Sequence, residues 1–266
     1  MQQLNIAFIG GGNMAEALIA GLIKGGHKAQ SITVSDSRDE RLQALAGSYG
    51  VQTDNDNAAV AAAADVVVLA VKPQQMKEVA RQVANSAAQA TVISIAAGIT
   101  TASLHQELGA SHPAIVRVMP NTPALVGAGM SVLFSKADES HRARAEYVLA
   151  ASGETAWVAE ENLLHAVTAV SGSGPAYFFL LAELMQAAAE SMGLPKEMAH
   201  KLATQTAMGA GKMLAESGRT AVELRHQVCS PGGTTQAALD EMYERGLPEA
   251  VRRGINAAAK RSKELG

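Results

Sequence analysis

A single cysteine, Cys229, stands in 266 residues. No disulfide can close within the chain, and such sparse thiol usage fits a reducing cytoplasm. Basic residues neither dominate nor cluster. The 22 Lys and Arg are scattered against 25 Asp and Glu, for a net charge of −3. That pattern lacks the concentrated positive footprint a nucleic-acid partner requires. A long unbroken apolar run is also missing. The most apolar window, residues 163–182, is interrupted by Gly-Ser-Gly-Pro, which argues against a membrane-spanning helix. The seven histidines (His27, His105, His112, His141, His165, His200 and His226) share no metal-ligand spacing with one another or with Cys229. The G-x-S-x-G elbow of serine hydrolases is absent. The first strand opens at Leu4, which leaves no length for a signal peptide. These absences lead to the expectation of a soluble cytoplasmic protein with no nucleic acid, membrane or metal among its partners.

What is present is a folding composition, 48% hydrophobic and 18% charged, in a chain long enough for two modest domains. The two halves follow different patterns. Residues 4–158 alternate short β-branched runs with Ala-rich helical stretches: "LNIAFIG", "SITVS", "ADVVVLAVKP", "ATVISIAAG", "AIVRVMP" and a short "TAWV". Strands alternating with helices predict an α/β domain with a parallel sheet covered on both faces. After residue 160 the strand signal stops, and helical segments punctuated by Gly and Pro continue to the C-terminus. The expected division is therefore 1–160, Rossmann-like, and 161–266, all-α. "AYFFLLAELMQAAAESM" (176–192) is apolar almost all round, as a buried helix would be. A helical dimerisation domain follows as the expectation, and with it a homodimer as the minimal unit, with room for a higher homo-oligomer.

The first glycine motif, "FIGGGNMAEAL", sets Gly10-x-Gly12-x-x-Ala15 between a strand and a helix. In that context Gly10 permits the tight turn and Gly12 lets a pyrophosphate approach the backbone. Ala15 still allows close helix–strand packing. The alternative is a tight turn with no ligand. Asp36 ends the second strand, where an acidic residue takes the ribose hydroxyls of NAD. Ser35, Ser37 and Arg38 beside it could instead hold the 2′-phosphate of NADP, with Arg38 as clamp, or Arg38 could be a solvated helix residue.

Three further loops follow strands on the ligand-binding edge: "AVKP" (70–73), "AAGIT" (96–100) and "MPNTPALVGAG" (119–129). Lys72 either ends a strand in water or faces the site. Asn121 is either a turn former or a polar contact on the nicotinamide side. "AVSGSGPAYFF" (169–179) reads as a loop of small residues feeding a long helix, and Glu161 sits at a helix start. A second glycine motif, "CSPGGTTQAAL" (229–239), runs into another helix. The amides of Gly233, Thr234 and Thr235, with the Ser230 and threonine hydroxyls, would make an anion pocket. The plainer reading is an N-cap, with Thr234 or Thr235 satisfying helix-start amides. Cys229 is better read as a small packed thiol than as a nucleophile.

Taken in order, "FIGGGNMA", "DVVVLAVKPQ", "SIAAGIT", "VRVMPNTPALVGAG", "VSGSGPAY" and "VCSPGGTTQAAL" resemble the pyrroline-5-carboxylate reductases across essentially the whole chain. The last block looks like that family's signature. The resemblance implies an N-terminal Rossmann domain, a helical domain that intertwines two subunits, and reduction of the ring C=N of L-1-pyrroline-5-carboxylate to L-proline with NADPH or NADH. It implies a substrate loop at Ser230 and Gly233-Thr234-Thr235, with Thr235 facing the imine nitrogen as the catalytic position and Glu161 near the substrate. It implies cofactor positions at Gly10, Gly11, Gly12, Asn13, Met14, Ala15, Asp36, Asn57, Ala70, Val71, Lys72, Ala97 and Gln227. Some members carry Asn at the position of Gln227 and Ser at that of Asp36. The Asp36 charge would repel a 2′-phosphate unless Arg38 compensates. The substrate is expected to approach from the helical domain of the partner subunit.

Two other readings differ in a checkable way. A β-hydroxyacid dehydrogenase would place a catalytic Lys in a helix with an Asn at helical spacing, and Lys212, the one candidate, has no such Asn. A dinucleotide-sensing regulator would have no use for the second glycine loop.

Overall fold

The computed structural model describes residues 4–109 and 114–265; His112 lies outside them. In chain order the first part runs β1 (Ile6–Ile9), α1 (Asn13–Lys24), β2 (Ile32–Ser35), α2 (Asp39–Tyr49), β3 (Gln52–Asp54), α3 (Asn57–Ala62), β4 (Val66–Leu69), α4 (Pro73–Val83), β5 (Thr91–Ser94), α5 (Thr101–Leu108), β6 (Ile115–Met119), β7 (Gly129–Ser135), α6 (Glu139–Ala150) and β8 (Gly153–Trp157). The strands form one sheet in the order β3-β2-β1-β4-β5-β6-β7-β8. Every pair is parallel except β6–β7. The order reverses between β1 and β4, and in doubly wound sheets such a switch point opens a ligand crevice beyond the strands' C-terminal ends.

The strand pattern explains the layers. Along β1, Ile6 and Phe8 join a core that includes Leu18 and Leu45, while Ala7 and Ile9 join the opposite one with Met76 and Val79. Side chains alternate across a strand, so a strand covered on both faces must be apolar at every position. β4, Val66 to Leu69, is such a strand and is fully buried. Each of these large aliphatic groups contributes about 1.5–3 kcal/mol by burial.

Two strands depart from the sequence reading. β3 is three exposed polar residues that pair with β2, and β7 follows directly on the loop "MPNTPALVGAG". β7 enters the sheet antiparallel to β6, and β8 then runs parallel to it. The segment "AVSGSG", read as a loop, is instead helical: α7 (Leu164–Val167) passes through a π-helical turn, Thr168–Gly172, toward α8 (Gly174–Ser191). The Thr168 and Ser171 hydroxyls donate back to the carbonyls of Leu164 and Val167. Small polar side chains that look like loop formers thus bond within the widened turn.

The helical part continues as α9 (Lys196–Glu216), α10 (Ala221–Gln227), α11 (Thr234–Glu244) and α12 (Leu247–Leu265). Two compact units emerge, Met1–Gly172 with Ala258–Gly266, and Ser173–Ala257. The last turns of α12 therefore belong to the first unit, where Ser262 Oγ lies 3.0 Å from His165 Nδ1. Among the described residues of the second unit only Gly174, Ala199, Ala203 and Leu224 are buried. Phe178 and Phe179 on α8 are 63% and 67% exposed. The helical stretch Glu161–Ser191 is long and apolar enough, by length and composition, to cross a membrane, and 17% of its most apolar window is buried within the chain. An exposed apolar surface of this kind marks an interaction face.

Candidate active site

The first glycine loop lies at the β1–β4 switch point. Gly10 adopts φ +99°, and a Cβ there would come within 2.7 Å of the Ala70 carbonyl oxygen, so both the backbone and the close approach of the segment after β4 require glycine. Gly12 is different. It is the N-cap of α1 in ordinary extended backbone, and a Cβ would meet nothing within 4 Å. The space above it is open, and no side chain caps the first-turn amides of Asn13, Met14 and Ala15. An uncapped helix start beside an open glycine suits a pyrophosphate.

Gly10 and Gly12 line a cleft of about 440 Å³ together with Asp36, Arg38, Asn57 and Lys72; Ala70 and Val71 also line it. Eight positions assigned to cofactor from the sequence thus converge on one crevice. Gln75 and Val79 on α4 also line it and carried no motif to announce them. Ala97, beyond β5, is not among the lining residues. Asn57 is fixed by Ser35, whose hydroxyl donates to Oδ1 at 2.6 Å, while its own amide donates to Gln82 Oε1 at 2.6 Å. Asp36 accepts from the Gly11 amide at 2.9 Å and from the Arg38 amide and guanidinium. Burial pushes the Asp36 carboxyl up, but these donors outweigh it and hold it below its usual range. The residues fit a dinucleotide: an open phosphate cradle, then a polar ribose end in which Arg38 already neutralises Asp36.

Asn121 does not offer a free amide. Its Oδ1 accepts from Met130 N at 2.8 Å and its Nδ2 donates to Ser171 O at 3.1 Å, so it ties the β6–β7 connection to the π turn. Gln227 lies in the second unit, and its Oε1 accepts from Arg219 NH1 at 2.6 Å. Glu161 is likewise engaged. It accepts from Thr101 N at 2.8 Å, Thr101 Oγ1 at 2.7 Å and Arg117 NH1 at 2.9 Å. Burial raises its pKa, and the bonds from Arg117 and Thr101 lower it further than burial raises it. Its carboxylate serves the start of α5 and the buried Arg117, a role that the sequence did not reveal because Arg117 sits within an apolar strand.

The second glycine loop is built differently. Gly232 has φ +70°, and the Gly233 amide donates to the Ser230 carbonyl at 3.0 Å, which closes a tight turn. A Cβ at Gly233 would overlap Ser230 Oγ. The N-cap of α11 is Gly233 itself, with no side-chain cap. Neither Thr234 nor Thr235 takes the capping role, so the amides at the start of an 11-residue helix carry no side-chain acceptor. Such a start attracts a carboxylate, and the Ser and Thr hydroxyls beside it can donate. Among the described residues no group of three or more His, Cys, Asp or Glu side chains is placed to hold a metal ion.

Residues 161–265 match the family model described as pyrroline-5-carboxylate reductase dimerisation, and residues 5–98 match that of NADP oxidoreductase, coenzyme F420-dependent. The pyrroline-5-carboxylate reductase of Pseudomonas aeruginosa is 46% identical, over 100% of this chain and 98% of its own. A solved pyrroline-5-carboxylate reductase from Coxiella burnetii is 41% identical, with a TM-score of 0.94, and covers 100% of this chain and 99% of its own. The Plasmodium falciparum pyrroline carboxylate reductase, solved with NADP bound, is 26% identical with a TM-score of 0.87, and covers 100% of this chain and 99% of its own. Full-length identity at this level, together with the shared fold, is decisive: the chain belongs to the pyrroline-5-carboxylate reductase family.

Proposed function

We propose that the chain reduces the ring C=N of L-1-pyrroline-5-carboxylate to L-proline, the final step of proline biosynthesis, with NADPH as hydride donor and NADH as a substitute. The observation that carries this reading is the uncapped start of α11 behind Gly233, a carboxylate receptor in a chain that also has a dinucleotide cradle. When bound, the nicotinamide would supply a hydride to the imine carbon, and a proton would have to reach the nitrogen.

The chain's own part is positioning and polarisation. The amides at Thr234 and Thr235 take the substrate carboxylate, with Ser230 as a further donor. The Thr235 hydroxyl orients the imine nitrogen by hydrogen bonding and makes its carbon a better hydride acceptor. Holding the two reactants in register carries much of the rate, which suits a site with no strong acid. Gly10–Ala15 would receive the pyrophosphate, and Ala70, Val71 and Lys72 border the same crevice. We read Glu161 as the strut between Arg117 and α5, not as a substrate contact. The working form is a homodimer at least, with the exposed apolar faces of the second unit covered by another copy, and the protein works in the cytoplasm.

The test is oxidation of NADPH on addition of pyrroline-5-carboxylate, run with wild type and Thr235→Ala. Wild-type turnover with strong loss in the variant supports the assignment. Full turnover in Thr235→Ala with an unchanged KM removes Thr235 from the mechanism, and no wild-type turnover removes the reading itself.

A further inference from the structure

Gly10 and Gly12 line the dinucleotide cleft, and Gly11 between them does not. Gly11 faces α2 instead: a Cβ on it would lie 2.8 Å from Leu45 Cδ1 and 3.5 Å from Arg41 Cγ. Both of its backbone groups are occupied, the carbonyl from α2 and the amide from the end of β2. Its N–H donates to Asp36 Oδ2 at 2.9 Å, and its carbonyl accepts from Arg41 Nε. Arg41 is itself held, because NH2 reaches Glu16 Oε2 at 2.5 Å, and Tyr49 OH donates to Glu16 Oε1 at 3.1 Å. The chain of contacts runs Tyr49–Glu16–Arg41–Gly11 and ties both ends of α2 to the loop and to the first turn of α1.

Two physical consequences follow. A backbone carbonyl is a concentrated negative end, and one swung into the cleft at Gly11 would oppose a phosphate where the α1 amides attract it. Glu16 places a full negative charge in the first turn of the helix that would receive the phosphates, and Arg41 compensates it at contact distance. The ion pair is partly sheltered, with side chains 21% and 31% exposed. A guanidinium can do both tasks at once because its donors form a fixed fork.

We propose that Arg41, braced by Glu16 and Tyr49, is a positioning residue for the cofactor cradle: it keeps the Gly11 carbonyl turned toward α2 and masks the Glu16 charge, so that the start of α1 presents only donors. This rests on the cofactor reading above. Because the pyrophosphate is common to both nucleotides, the effect falls on NADPH and NADH alike.

The experiment measures Kd for NADPH and for NADH by the fluorescence of the bound nucleotide, the Tm of each variant without nucleotide, and kcat at saturating cofactor. The expected result for Arg41→Met is about a tenfold rise in both Kd values, by the same factor, with kcat nearly unchanged. Arg41→Lys falls between, because an ammonium offers its donors from a single nitrogen and lacks the fork that spans Gly11 and Glu16. Tyr49→Phe shifts Kd in the same direction by a smaller factor, and Glu16→Gln, which removes both the brace on Arg41 and the charge that Arg41 masks, shifts it less again. Three results would overturn the proposal: a lowered Tm with unchanged Kd, which makes Arg41 a strut only; a loss confined to NADPH, which makes it a direct phosphate contact; or tighter binding in Glu16→Gln, which means that Glu16 holds Arg41 away from the cofactor. Wild type binding neither nucleotide would instead sink the functional reading.

Discussion

Arg38 and Asp36 form a two-pronged ion pair at the end of β2, Nε to Oδ1 at 2.9 Å and NH2 to Oδ2 at 3.1 Å. With the Gly11 and Arg38 amides added, Asp36 accepts from four donors, about the capacity of a carboxylate. A ribose hydroxyl cannot bond to Asp36 unless Arg38 gives way. The pair presents no net charge to a 2′-phosphate, and the exposed guanidinium keeps donors to spare. Arg38→Ala is therefore expected to raise KM for NADPH by roughly tenfold or more and to leave KM for NADH level or lower. Steady-state constants for both nucleotides check this. Equal losses for both would mean that the pair does not read the 2′-phosphate.

The two cleft glycines should separate stability from binding. Gly10→Ala puts a Cβ against the Ala70 carbonyl at φ +99°, a strained and crowded position, and should cost roughly 2 kcal/mol or more of folding stability. Gly12→Ala meets nothing, so its stability should change by no more than about 1 kcal/mol. It should nonetheless lose cofactor affinity at least about tenfold, because its methyl fills the phosphate cradle. Urea denaturation beside nucleotide titration checks both. A Gly12→Ala protein that binds normally would show that the pyrophosphate does not approach this glycine.

The doubly wound sheet was legible because its central strands are buried on both faces. Val66 to Leu69 can be apolar throughout only in such a place. β3 was not legible, because Gln52, Thr53 and Asp54 are exposed and polar and owe their conformation to β2. The π turn at Thr168–Gly172 reads as a loop from its Gly and Ser content, and only backbone geometry shows otherwise. In the candidate site, glycine motifs name backbone positions, so the turn at Gly10 and the helix starts behind Gly12 and Gly233 could be read directly. Asn121, Gln227 and Glu161 name side chains, and the partner of a side chain is a tertiary fact. Asn121 reaches Ser171, and Glu161 reaches Arg117 and Thr101, across stretches of chain that no spacing rule connects. Arg41 and Glu16 went unmarked for the same reason.

Arg117 tests the weight of such a contact. Its side chain is 6% exposed and pairs with Glu161 at 2.9 Å. Removing one partner strands the other in a poorly hydrated place, so Glu161→Gln and Arg117→Met are each expected to destabilise the fold by roughly 2–4 kcal/mol near neutral pH. The sign of the pH effect follows from the depressed carboxyl. The folded pKa of Glu161 lies below its ordinary value of 4.5, so its stabilisation is complete above that value and is lost as pH falls through the folded pKa. Denaturation of wild type and Glu161→Gln across a pH series should show a constant gap near neutrality that narrows in acid. A gap that persists unchanged to strongly acid pH would exclude the ionised carboxylate as its source.

Gly233 should be governed by a neighbour rather than by its backbone. Its φ of −82° and ψ of 170° are open to any residue, but a Cβ would overlap the Ser230 hydroxyl. Gly233→Ala must therefore displace Ser230 from the loop proposed to bind substrate, whereas Ser230→Ala only removes one donor. If displacement of that hydroxyl is the damage, part of the Gly233→Ala defect already includes the loss of Ser230. The Ser230→Ala/Gly233→Ala double variant should then bind pyrroline-5-carboxylate no worse than Gly233→Ala alone. Each single change is expected to raise KM for this substrate about tenfold, with cofactor Kd unaffected. A double-mutant cycle on KM decides the matter, because independent effects would multiply to about a hundredfold. Multiplication would mean that the methyl blocks the carboxylate at the start of α11 directly, and that Ser230 and Gly233 act separately.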